Sequence, residues 1–100
     1  MTTLSSKDIL EPPGELDGAK VIKWAWSGKQ PFGHVNVDDG TGIEIYGLAI
    51  CQYDGSSIVY RFSCDKNWEV QQDSTYVSIE QAQNQLPDQY KLVTAKWMTK

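Results

Sequence analysis

The sequence predicts an α+β fold: an antiparallel β-meander of four to six strands with one C-terminal helix packed on one face. Three observations carry that expectation. Segments rich in β-branched and aromatic residues recur from Ala19 to Val70, as in "KVIKWAW", "IEIYGLAIC" and "IVYRFSC". Compact turn signals separate them: "DDGTG", "YDGSS" and "DKN". Beyond Val77 the apolar spacing changes to steps of three and four, through Ile79, Ala82 and Leu86.

Taken in order, residues 1–18 read as a flexible or loosely docked arm. Pro12-Pro13-Gly14 breaks a helix and denies a strand its donors. Leu4, Ile9, Leu10 and Leu16 can pin the arm, with room for one short helical turn after Ser6. Residues 19–100 then form a single α+β domain, with strands expected near 20–26, 34–37, 43–51, 58–64 and 68–71. Ser78-Ile79-Glu80-Gln81 has the pattern of a capping box, which starts a helix near 79–86. Pro87 ends it, or restarts it as a short turn through Tyr90. The tail at 91–98 fits helical steps and strand alternation alike, and Pro87 favours a strand.

An even-numbered loop at "YDGSS" places Gly47, Ala49 and Cys51 on one face with Ile58, Tyr60, Phe62 and Cys64. Small residues then stand beside large ones, and Cys64 is core rather than nucleophile. Cys51 and Cys64 end up more than ~10 Å apart, beyond disulfide reach. Trp24, Ile45, Leu48 and Val59 cannot all face inward on one side of a sheet, so a second face needs cover, for which a homodimer is one solution.

The net charge of −4 sits mostly in the arm. Residues 1–19 hold four acids and one base, −3, leaving nine acids and eight bases, −1, in residues 20–100. Such a body has no basic stripe, so nucleic acid is not an expected partner. No apolar run approaches the ~20 residues of a membrane span, and two cysteines suit a reduced cytoplasmic protein. No signature supports catalysis, a metal or a cofactor. His34 and Cys64 lack a motif that joins them, and Asp65 opposes thiolate formation. Cys51, Cys64 and His34 lack zinc spacing, and "DDGTG" lacks a calcium loop's closing glutamate.

Two constellations remain. Trp24 and Trp26 share a strand face, with Phe32 and His34 just beyond a glycine-flanked loop. They are either core or a stacking platform for a ligand, flanked by Tyr46, Tyr53 and Lys23. Asp38, Asp39, Glu44, Asp65, Glu69 and Asp73, gathered at turns, are a candidate acidic patch for a protein partner. The run "YRFSCDKNWEV" followed by "SIEQA" resembles small bacterial orphan proteins, some of them immunity proteins or mobile-element cargo. That resemblance covers about half of the chain and brings no site residue with it. By elimination the expected function is a non-enzymatic protein-binding module, in its sharpest form a toxin-immunity or inhibitor protein. The alternative is a small-ligand module built on Trp24, Trp26 and Phe32.

Overall fold

The computed structural model describes residues 9–36, 40 and 42–100. In chain order the elements are β1 (Glu15–Leu16), β2 (Ala19–Trp26), β3 (Gly33–Asn36), β4 (Gly42–Ile45), β5 (Gly47–Gln52), β6 (Val59–Cys64) and β7 (Val70–Tyr76). The helix α1 (Ile79–Asn84), a 3₁₀ turn at Asp88–Tyr90 and β8 (Met98–Thr99) follow. The main sheet runs β1-β2-β5-β6-β7, and β3 and β4 form a separate ribbon. All these pairings are antiparallel. The architecture is therefore mostly antiparallel β with one short helix. With β5 on one side of β2, its other edge is shared: β1 takes Ala19 and Lys20, and β8 takes Lys23 and Trp24.

Register decides which residues meet. Gly47 lies opposite Cys64, Ala49 opposite Phe62 and Cys51 opposite Tyr60, as the turn parity predicts. A bulge at Ile22 shifts β2 so that Val21 faces Cys51 while Trp24 faces Ala49 and Trp26 faces Gly47. One core cluster accordingly joins Val21, Trp24, Cys51, Phe62, Cys64 and Trp68. The other face carries Leu48 and Ala25 under Phe32 and Tyr90, and Ile50 and Val59 under Ala82 of α1. Both faces are thus covered from within one chain, by the arm and Trp68 on one side and by α1 and the tail on the other.

The expected strand over 43–51 is two strands, broken at Tyr46. Ser27 N donates to Tyr46 O and Phe32 N donates to Ile45 O, so residues 28–31 are extruded from the ribbon as a loop. The expected strand at 68–71 begins later and runs to Tyr76. Trp68 precedes it in the left-handed region, at φ 61°. That turn drops the indole onto Gly47, where an added Cβ would lie 2.5 Å from a ring carbon. The Trp68 indole N–H then donates to Leu10 O at 3.0 Å, which ties the arm to the core. Leu16 is buried and β1 extends the sheet, so residues 15–16 of the arm belong to the fold. The turn expected after Ser6 begins outside the described residues.

Ser78 accepts from Gln81 N at 3.0 Å, but the returning Gln81 carboxamide accepts from Val77 N rather than Ser78 N. The helix stops at Asn84 and the turn after Pro87 ends on buried Tyr90. Of the tail expected as a strand at 91–98, only Met98–Thr99 pairs. Arg61 is buried in the middle of β6 without an acidic partner among the described residues. Its Nη1 donates to Ala82 O and Gln85 O, both at 3.2 Å, at the C-terminal end of α1, and its guanidinium lies 4.9 Å from the centre of the Tyr76 ring. The negative end of the helix and a π face thus stand in for a carboxylate.

Two stability outcomes follow. Gly47→Ala forces Trp68 off the strand and should destabilise the protein by ~1–3 kcal/mol in chemical unfolding; an unchanged midpoint would contradict that packing. Arg61→Met keeps the aliphatic stem but strands two helix carbonyls. It should cost roughly 1.5–3 kcal/mol, whereas a neutral result would mean water satisfies them equally well.

Candidate functional site

The extruded loop leaves the end of β2 and the tail runs along its edge, and both line an apolar cleft of about 400 Å³. Trp24 and Trp26 of β2 line it, with Ile9, Val93 and Met98 completing its apolar lining and Lys29 and Lys96 among its charged residues. Its formation is local. Gly28, at φ 88°, turns the chain out of β2, and Pro31 leads it back towards Phe32. On the other side β8 holds the tail against the edge of β2 at Lys23 and Trp24.

The tryptophans are held from below by a chain of rings. Trp24 packs edge-on against Trp68 at 6.4 Å, Trp68 lies 5.5 Å from Trp26, and Trp26 lies 5.9 Å from Tyr46. Such spacing is favourable for aromatic pairs and leaves the rings little freedom. Two polar groups of the lining residues, Trp24 Nε1 and Ser27 Oγ, are sealed from solvent with no hydrogen-bond partner among the described residues. An unpaired buried donor costs ~1–3 kcal/mol, so this polarity is a cost to the core beneath the cleft rather than part of its surface. Among the described residues no acidic side chain lines the cleft, and neither Lys29 nor Lys96 is ion-paired.

Of the platform residues expected from sequence, Trp24 and Trp26 meet at the cleft and Tyr46 supports them. Phe32 does not join them. It is fully buried in the other cluster with Ile45, Leu48 and Tyr90, because the break at Tyr46 and the extruded loop set β3 into a separate ribbon. His34 is exposed on β3, opposite Glu44, with its Nε2 4.0 Å from the carboxylate. Lys23 sits opposite Ile50, on the face away from Trp24. Tyr53 is at the far end of the sheet, edge-on to Tyr60 and donating to Asp17 O. The loop and tail contributions, Lys29, Val93, Lys96 and Met98, escaped the sequence reading. The available signal was the alternation of the tail, which turns Ala95 and Trp97 towards the Phe32–Tyr90 cluster and leaves Lys96 and Met98 for the cleft, with Val93 touching both.

The acidic candidates are scattered. Asp38 and Asp39 lie outside the described residues. Glu44 and Asp65 line one small hollow of about 160 Å³, beside Lys66. Asp65 is also committed to its turn: Oδ1 accepts from Asn67 N and Glu69 N, and Oδ2 from the Gln71 amide. Glu69 is exposed, and Asp73 sits on β7 opposite Phe62.

Cys51 and Cys64 are free and fully buried. Burial pushes the Cys51 thiol from 9.0 up to about 12, and the charge of Asp17 adds to the effect. Burial, then Cys51, Asp65 and Asp17, raise Cys64 as well. Neither thiol can supply a nucleophilic thiolate near neutrality. Among the described residues no three of His, Cys, Asp and Glu cluster as metal ligands, and no helix is long and apolar enough to cross a membrane. Searches against protein-family models, curated proteins and solved structures match nothing to this chain.

The thiols yield a further outcome. At about pH 8 Ellman's reagent should label both cysteines only as fast as the protein unfolds; one rapidly reacting thiol would contradict their burial. The raised native value also sets a sign for stability. The unfolded chain releases these protons first, so stability should fall as pH rises from 9.0 towards about 12.

Proposed function

We propose that the protein is a non-enzymatic binding module that takes a small apolar ligand in the cleft over Trp24 and Trp26. The observation that carries this reading is the cleft itself: apolar rings held rigid from beneath, between two walls of different chain segments. Its volume of about 400 Å³ suits a small molecule, since ligand pockets commonly run ~300–1,000 Å³. Both thiols are held protonated near neutrality by burial, which speaks against a cysteine nucleophile.

A second reading, a protein-binding module whose partner is a toxin or a second copy of the chain, has its own observation. The edge of β7 away from β6 pairs with no strand among the described residues, and exposed Ile58 and Val77 flank the adjacent strand ends. Such an edge accepts an added strand. Light scattering at micromolar concentration tests self-pairing directly: a dimer that a proline at Ser74 dissolves would favour this second reading.

The ligand reading predicts that naphthalene-based probes quench tryptophan fluorescence and raise the melting temperature. Met98→Arg, at a half-exposed position on the cleft wall, should abolish both effects while leaving the fold intact. Equal quenching in wild type and Met98→Arg would place the ligand elsewhere.

A further inference from the structure

Resting on the small-ligand reading, we infer that the cleft is built for an aryl carboxylate: a flat aromatic body carrying one negative charge. Charge is the first argument. Lys29 comes from the extruded loop and Lys96 from the tail, so the two walls each bring one cation to the cleft, with no acid in its lining among the described residues. Neither ammonium is engaged by a carboxylate among the described residues. This arrangement repels cationic ligands and leaves a neutral apolar one without a use for two lysines.

Hydrogen bonding is the second argument. Trp24 Nε1 and Ser27 Oγ are sealed beneath the cleft, out of a ligand's reach, so the charged groups that a ligand meets are the two lysines, which bring only donors. A ligand that complements this set is rich in acceptors and poor in donors, as a carboxylate is. Shape is the third. Tyr46, Trp26, Trp68 and Trp24 form a continuous series of ring contacts, and a planar aromatic body laid against Trp24 and Trp26 extends it at no cost in side-chain ordering. A flexible acyl chain would give up its own conformational freedom there and gain no ring contact. The ligand's ring lies on the tryptophans and its carboxylate sits between the lysines.

Isothermal titration of the full chain with naphthoate, its neutral amide naphthamide, and decanoate tests this. Naphthoate should bind at one site, with naphthamide and decanoate each weaker by roughly tenfold or more. The double variant Lys29→Gln/Lys96→Gln should erase the preference for naphthoate over naphthamide without moving the melting temperature. If naphthamide binds as tightly as naphthoate, or the double variant keeps the preference, the carboxylate assignment fails while the small-ligand reading stands. If decanoate binds more tightly than naphthoate, the aryl assignment fails. If none of the three binds the natively folded protein, both readings are overturned.

Discussion

The contact between Trp68 and Gly47 is the constraint on which most of this structure depends. Gly47 is the first residue of β5, and the absence of a side chain there lets an indole lie directly on the backbone. Trp68 reaches that place only by adopting a left-handed conformation, which costs a non-glycine residue on the order of 1–3 kcal/mol. The contact offsets that strain by joining three parts of the chain at once. The ring packs against Trp24 and Trp26 of β2, its N–H holds the arm through Leu10, and its face covers the start of β5. The ring series beneath the cleft is therefore a consequence of core packing, and the site inherits its rigidity from it.

The opposite face solves a different problem. There the sheet must bury Arg61 and accept a helix of only six residues. The two needs are met together, because the guanidinium terminates the helix that covers it. A short helix with a single buried residue, Ala82, would otherwise have little to hold it to the sheet. The Tyr90 hydroxyl, which donates to the Gln72 carboxamide, locks the following turn onto β7. With most of each face covered by its own segment, a strand edge and the cleft where loop and tail part stay open among the described residues.

Sequence periodicity carried as far as local rules reach. The parity of the "YDGSS" hairpin, the shared face of Trp24 and Trp26, the cap at Ser78 and the restart after Pro87 as a short turn to Tyr90 all follow from spacing and turn chemistry, and the structure contains them, although the helix itself already ends at Asn84. What spacing could not reveal were events that break a period. The bulge at Ile22 and the extrusion of residues 28–31 each depend on pairing with distant residues, and the second leaves Phe32 in the other core cluster. The turn at Trp68 looks like an ordinary strand start until Gly47 is known to lie beneath it. Half of the candidate site was legible for the same reason: the β2 tryptophans declare their face, whereas Lys29, Lys96 and Met98 become neighbours only through long-range pairing.

One continuous ring series both closes the core and forms the floor of the cleft. The four tryptophans make it directly visible, because each contributes one indole N–H signal and Trp97 packs with the cluster on the opposite face. In a two-dimensional nitrogen–proton spectrum titrated with naphthoate, the signals of Trp24 and Trp26 should move most, Trp68 less, and Trp97 not at all. Movement centred on Trp97, or a uniform shift of all four, would contradict the account.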